Sequence, residues 1–243
     1  MTQPSISVII PVFNAKHTLA NALQSVWEQT FPAHEVLVID GGSTDGTLEL
    51  IQANQSRINH WISEPDRGVY DAINKGIQKA TGDWIYVLGS DDVLASNDVF
   101  ESISEHLNDR ISLAFGSVQN LNIRQSMVPE MHLSSMGPLL YIKNTLHQQS
   151  AFYRKSLFSH EAFDASMRVL ADYDFHLALY SKQTPFMRLE LVVAACDASG
   201  LSKQFKWPLY REEFRLKRKR LGTLASLLLL PIIGLKFLLK QLR

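Results

Sequence analysis

A chain of 243 residues with 24 Lys plus Arg against 24 Asp plus Glu has no net field to recruit nucleic acid. Its 46% hydrophobic and 20% charged content are those of a globular protein long enough to bury a sizeable core. The single cysteine, Cys196, excludes an internal disulfide framework and a multi-cysteine zinc site, fits a reducing compartment and, lacking a partner, reads as inert. The N-terminus has no basic-then-apolar signal pattern, and the apolar run Ile6 to Val12 is short and broken by Pro11, so a cytoplasmic location is expected.

In chain order, Ser5 to Val12 is a β-branched run that reads as a strand closed by Phe13–Asn14, and Thr18 to Gln29 carries Leu19, Leu23, Val26 and Trp27 at helical spacing. Glu35 to Ile39 is a second buried strand. Asp40 to Thr47 then turns into a helix around Leu48, Leu50 and Ile51, with Ser43 or Thr44 as the expected N-cap. Ile58 to Ser63 reads as a strand, Glu64 to Gly68 as a loop and Val69 to Thr81 as a helix with Ala72, Ile73 and Ile77 inward. The strand after Gly82 ends in Gly89–Ser90–Asp91–Asp92. Two adjacent carboxylates at a strand's carboxyl end suit a hard divalent cation that keeps most of its coordination for phosphate and water. Strands alternating with helices predict a parallel sheet covered on both faces, with the strand ends at 11–14, 40–43, 66–68 and 89–92 converging on one edge.

Beyond Asp92 the alternation breaks down. Ser96 to Leu107 reads as a helix, Ile111 to Val118 as a strand, and Gln119 to Pro138 shows no period. His147 to Arg154 reads as a loop entering a strand, Ala171 to Ser181 as a helix, Phe186 to Ala195 as the last strand and Asp197 to Ser202 as a flexible loop. Trp207 to Arg220 is a basic helix bearing Arg211, Arg215, Lys217, Arg218, Lys219 and Arg220. Leu221 to Leu235 then runs without a charge, yet a spanning helix needs about 20 apolar residues and Pro231 interrupts this one. An interfacial helix meeting anionic headgroups through the preceding basic cluster fits. A C-terminal helix packed on the domain, or an oligomer contact, is the alternative.

The blocks Ser7–Asn14, Ser25–Thr30, Val38–Thr47, Arg67–Gly76 and Gly89–Asp92 together resemble an inverting family 2 glycosyltransferase of the GT-A fold. His147–Gln148, Ala171–Asp174 and Gly200–Ser202 resemble the acceptor-side motifs of members that build bacterial surface polysaccharides. The resemblance implies an α/β fold with a Rossmann-like, mostly parallel central sheet flanked by helices and a C-terminal amphipathic extension. It divides the chain into a glycosyltransferase domain, 1–205, with a nucleotide-donor half, 1–95, and an acceptor half, 96–205, followed by a membrane-association tail, 206–243. The implied cofactor is Mn²⁺ or Mg²⁺. The implied partners are a nucleotide-sugar donor, with UDP expected, a glycan or lipid-linked acceptor, and the inner face of the cytoplasmic membrane through residues 207–243.

The resemblance also assigns roles. Asp92 would ligate the metal, and Asp91 would support it or contact the ribose. Asp172 matches the family's base, although Ala171 stands where an acidic neighbour is usual. Asp174, two residues on, belongs to another helical face. Pro11, Phe13, Asn14, Asp40, Asp66 and Arg67 would surround the nucleotide, although relatives carry two aspartates where this chain has Asp40–Gly41. His147 and Gln148 would hold the acceptor or complete the metal shell, and Gly200 and Ser202 lie in a candidate closing loop. Two other readings remain open. A dinucleotide enzyme or nucleotidyltransferase lacks here its glycine-rich phosphate loop. A non-catalytic nucleotide-sugar-binding protein would not require Asp91, Asp92 and Asp172.

Overall fold

The structure, a computed structural model, describes residues 3–123, 128–159, 162–198 and 206–241. Strands β1 (Ile6–Val12), β2 (Glu35–Asp40), β3 (His60–Ser63) and β4 (Trp84–Val87) alternate with helices α1 (Leu19–Trp27), α2 (Thr47–Ala53) and α3 (Val69–Lys79). β2 pairs with β3, and β1 lies between β2 and β4, all three pairings parallel. The strands read as continuous apolar runs because both faces are covered. Alternate side chains of β1 divide between two cores: Ile9 packs with α3 and α5 (Ala171–Ser181), while Val8 and Ile10 pack with α1 and α4 (Val99–Ser104).

The second half extends the same sheet with mixed polarity. The strand order is β3-β2-β1-β4-β8-β6-β9-β5, where β5 is Val93–Leu94, β6 Leu113–Leu121, β8 Ala151–Arg154 and β9 Phe186–Asp197, with β7 (Met131–His132) paired to β6. β8 runs antiparallel to both β4 and β6, and parallel pairing resumes only between β6 and β9. The change falls where the βα alternation stops, because a strand reached without a crossover helix is free to pair antiparallel. Pro11 sits inside β1 opposite Ile39, beyond the last residue that β1 pairs with β4, so its missing N–H leaves no gap in that ladder.

At the end of the sheet opposite the strand carboxyl ends, Glu35 binds two other segments. Its carboxylate accepts from Ser7 Oγ at 2.6 Å, from the backbone N–H and hydroxyl of Thr81, and from Gly82 N–H at 3.3 Å. Burial alone would raise its pKa, but these donors outweigh burial and hold the carboxyl below its ordinary value. Its contribution is therefore present above the ordinary carboxylate range and lost as pH falls through the lowered value. Glu35→Ala leaves these donors without their acceptor and is expected to cost about 2–4 kcal/mol in urea unfolding at pH 7. The penalty should shrink toward pH 3.

The C-terminal helices are α6 (Trp207–Leu221) and α7 (Thr223–Gln241). α6 packs on α5, where Lys219 and Arg220 bind the buried carboxylate of Asp174. Lys217, fully buried, and Lys236 of α7 both reach Glu213 Oε1, at 2.7 and 2.6 Å. Phe237 meets the rings of Trp207 and Tyr210. Half of the basic cluster, Lys217, Lys219 and Arg220, is thus engaged by the protein's own carboxylates, Lys219 while still exposed, which corrects its reading as a set that meets headgroups throughout. Arg211, Arg215 and Arg218, at helical spacing, stay exposed. Among the described residues no helix is long and apolar enough to cross a membrane.

Candidate active site

The loops that follow β1 and β2 are fastened to one another. Asn14, at a positive φ of 50°, receives Thr44 N–H on its amide oxygen at 2.9 Å, while its own N–H donates to Ser43 Oγ at 2.7 Å. Asparagine tolerates this left-handed backbone better than most residues. Phe13 stands beside it, 63% exposed, as a free apolar surface on the rim. Neither Ser43 nor Thr44 caps α2, as the sequence led us to expect. Gly46 is the N-cap, in the left-handed region, and the Asp45 carboxylate takes Thr47 N–H at 3.0 Å. Ser43 is used instead to hold Asn14 and Asp40.

Asp40 is turned inward. It accepts from the N–H and hydroxyl of Ser43 and from Ser63 Oγ at 2.6 Å, and it is almost completely buried. The carboxylate that faces this loop is that of Asp66. A β-carbon on Gly41 would collide with Asp66 Oδ2, so the glycine vacates the space into which Asp66 reaches. Asp66 Oδ1 also takes Gly68 N–H at 2.8 Å, which fixes the turn into α3. Arg67 is exposed and forms an i,i+4 ion pair with Asp71 at 2.7 Å, so its charge is partly engaged already.

After β4 the chain folds Asp91 and Asp92 onto one small space. A β-carbon on Gly89 would collide with Asp92 Oδ2 and lie 3.0 Å from Asp91 Oδ1. Asp92 is buried and takes Asp197 N–H at 2.9 Å and a hydrogen bond from Cys196. Burial pushes its carboxyl up to about 7, with the Asp91 charge adding to the rise. Asp91 has an edge in solvent, yet lost hydration and then the charge of Asp197 raise it as well. Cys196, read from the sequence as an inert residue without a partner, therefore belongs to the surroundings of Asp92. Among the described residues no group of three or more His, Cys, Asp or Glu forms a closed metal cage. The convergence of two carboxylates around Gly89, each held above its ordinary pKa, is what a cation with phosphate and water as further ligands would relieve, so these residues fit one.

Asp172 lies in the first turn of α5, and three segments meet at its carboxylate. Tyr70 Oη of α3 lies 2.9 Å from Oδ1, and Asn144 Nδ2 lies 3.1 Å from Oδ2. Burial raises the carboxyl to about 6, and the hydrogen bonds from Tyr70 and Asn144 limit the rise. Because α3 begins directly after the Asp66 loop, Tyr70 ties Asp172 to the carboxyl ends of the parallel strands. Asp174 does face elsewhere, toward Lys219 and Arg220. Tyr70 and Asn144 were not singled out from sequence. Tyr70 sits within a motif block already noted, while Asn144 lies between the stretch without a period and the loop at His147 and had no signal.

His147 precedes a short 3-10 turn, Gln148–Ser150, that leads into β8, and its ring contacts His132 at 5.5 Å. Gln148 is buried, with its amide nitrogen lacking a protein partner. The turn is bound to β4 through Tyr86 Oη and the Gln149 carbonyl at 3.1 Å. Gly200 and Ser202 lie outside the described residues.

Comparison with known proteins agrees with the fold. The model of "Glycosyl transferase family 2" matches residues 7–181. A "PGL/p-HBAD biosynthesis glycosyltransferase" of Mycobacterium tuberculosis is 31% identical, covering 96% of this chain and 91% of that protein. Escherichia coli WfgD, a "UDP-Glc:alpha-D-GlcNAc-diphosphoundecaprenol beta-1,3-glucosyltransferase", is 34% identical over 48% of this chain and 47% of its own. Among solved structures, S. aureus TarS 1-349 in complex with UDP-GlcNAc superposes with a TM-score of 0.69 at 19% identity, over 87% of this chain and 65% of that one. A mannosyltransferase from Pyrobaculum calidifontis in complex with GDP-Man and Mn²⁺ gives 0.65 at 16% identity, over 96% and 74%. The chain spans from 39% to 65% of the TarS chains it matches. With the fold of GT-A enzymes and a family match that runs from β1 to the end of α5, the chain belongs to glycosyl transferase family 2 and is a glycosyltransferase.

Proposed function

We propose that this glycosyltransferase moves a sugar from a UDP-sugar to a glycan or lipid-linked acceptor in surface-polysaccharide synthesis, with inversion and with the help of Mn²⁺ or Mg²⁺. The observation that carries the reading is the pair of separate acidic centres, Asp91–Asp92 after β4 and Asp172 on α5, each raised in pKa by burial. Residues 1–95 would hold the donor and 96–205 the acceptor, with Phe13, Asn14, Asp66 and Arg67 around the nucleotide and Pro11 and Asp40 supporting the loops from within. Asp92 and Asp91 would hold a divalent cation, whose chemistry would be to offset negative charge on the leaving diphosphate.

Asp172 takes the proton of the acceptor hydroxyl as its oxygen bonds the anomeric carbon and the bond to the diphosphate breaks. Tyr70 and Asn144 fix where its oxygens point. A carboxylate of pKa about 6 is a stronger base than an ordinary aspartate and is still ionised at neutral pH. His147 and Gln148 would bind the acceptor, the unpartnered amide of Gln148 being a donor with capacity to spare. WfgD, by its name, uses UDP-glucose and a lipid-diphosphate acceptor, which supports the donor and acceptor classes. The test is a screen of nucleotide sugars with the purified protein and Mn²⁺, read as nucleotide release. UDP-sugars should be the substrates, and turnover only with GDP-sugars would reject the donor assignment.

The tail would seat this site on the cytoplasmic membrane surface. Leu224, Leu228, Leu235 and Leu238 form an exposed stripe on α7, with Leu224 81% and Leu228 79% accessible. Trp207, Arg211 and Arg215 line a shallow cleft of about 260 Å³ with Leu230 and Ile233, setting an aromatic and two cations beside the apolar helix. Since the stripe is already in water, Leu224→Glu with Leu228→Glu should leave the melting temperature unchanged. Co-flotation with phosphatidylglycerol vesicles should fall more than about tenfold, from the burial of two leucines. Undiminished flotation would rule this role out.

A further inference from the structure

The C-terminal helices hold two segments beside Asp172, the backbone just before α5 and the loop that carries Asn144. Glu212 of α6 accepts three backbone N–H groups just before α5: Val169 at 2.8 Å, Leu170 at 2.6 Å and Arg168 at 3.2 Å. The N-cap of α5, Leu170, offers no side-chain acceptor of its own, so a carboxylate from another helix meets the need of the helix start. Val169 is also the residue whose carbonyl lies 2.7 Å from Tyr70 Oη. The single Tyr70 proton therefore has two acceptors, this carbonyl and Asp172 Oδ1. When Asp172 is ionised the proton goes to the carboxylate; when Asp172 carries a proton, Tyr70 can accept from it and donate to the carbonyl.

The other oxygen of Asp172 is governed from the same side. Lys217 Nζ and Lys236 Nζ both donate to the Ile142 carbonyl, at 2.7 and 2.6 Å, and share Glu213 Oε1. Ile142 is two residues from Asn144, the donor to Oδ2. Sinking two ammonium groups and a carboxylate into the α6–α7 contact is costly in desolvation. Attachment of an anchor could have been made from apolar residues alone. The ions instead fix one carbonyl of the loop that carries Asn144.

We infer that Glu212 and the Lys217–Glu213–Lys236 cluster are positioning residues for Asp172, so that α6 and α7 form part of the catalytic apparatus as well as the tail. This rests on Asp172 being the base of the proposed reaction. The ionisable groups facing its carboxylate are Tyr70 from α3, Tyr153 from β8 and, through the 168–170 segment, Glu212 from α6.

The test compares Glu212→Ala, Glu212→Gln and Asp172→Asn in the full chain. The first readout is a ¹³C NMR pH titration of the Asp172 carboxyl, whose signal is identified by its absence in Asp172→Asn. The second is Mn²⁺-dependent nucleotide release from UDP-N-acetylglucosamine and UDP-glucose. Glu212→Ala should move the Asp172 titration to higher pH by about half a unit or more, because the carboxylate loses a fixed donor. It should lower kcat about tenfold or more, with UDP binding by calorimetry unchanged, as expected for lost orientation. Glu212→Gln keeps one acceptor oxygen and should recover part of both effects while preserving the fold. An unmoved or downward-moved titration in either folded Glu212 variant overturns the inference. If Asp172→Asn still releases nucleotide at the wild-type rate, it is the assignment of the base that fails; if it is inactive while Glu212→Ala titrates and turns over normally, only the positioning role fails.

Discussion

Asp172→Asn lowers turnover by about a thousandfold while UDP binds with wild-type affinity, the expected result for loss of a general base that does not touch the nucleotide. The amide is isosteric and can still accept from Tyr70, so the fold around α5 is kept. In the native enzyme kcat should rise with pH through about 6, the value to which burial brings the Asp172 carboxyl, and level off above it. The sign follows from the base being active only when ionised: below 6, each unit of pH should cost about a factor of ten. Steady-state rates from pH 5 to 8 check both statements. A flat profile across that range, or a variant with near-native turnover, would remove Asp172 from the chemistry.

Asp92→Asn separates activity from stability in the opposite direction to Glu35→Ala. Asparagine can still take the Asp197 N–H, but it no longer places a second charge beside Asp91 in a buried position. The melting temperature should therefore hold or rise, as happens when functional strain is relieved. Metal-dependent nucleotide release should fall by about 10²–10³, the scale for loss of one group that stabilises transition-state charge. Gly89→Ala is a second route to the same loss, since its β-carbon would push Asp92 Oδ2 out of place. A folded Asp92→Asn protein with full activity in Mn²⁺ would contradict the proposed metal site.

The donor half was legible in the sequence because each strand there is buried on both faces and each strand end is marked by a change to small or polar residues. β1, β2 and β4, and the convergence of Asp91 and Asp92, followed from that pattern. The directions of Asp40 and Asp66 did not, because both are strand-end aspartates in sequence and only the space left by Gly41 decides which one faces the loop. In the acceptor half the bounds of α5 agree with the sequence reading to the residue, although the helix is buried on nearly every side and shows no single apolar stripe, but its cap was not legible: Glu212 lies some forty residues away in sequence. The basic stretch of α6 read as a membrane-facing set because a one-dimensional charge cluster cannot show that Lys217, Lys219 and Arg220 turn toward Glu213, Asp164 and Asp174. Cys196 was dismissed for the same reason. Its neighbour Asp92 comes from the turn after β4, about a hundred residues away in sequence.

The central claim is that two acidic centres divide the labour, one holding the metal and one taking the proton. It is tested most directly by nucleotide release from UDP-N-acetylglucosamine and UDP-glucose in native protein, Asp92→Asn and Asp172→Asn, each with Mn²⁺ and with chelator. The account predicts release by the native enzyme that chelator abolishes and Mn²⁺ restores, weak release by Asp92→Asn whatever the metal, and UDP binding without turnover by Asp172→Asn. Release that persists undiminished in chelator, or in Asp172→Asn, would contradict it.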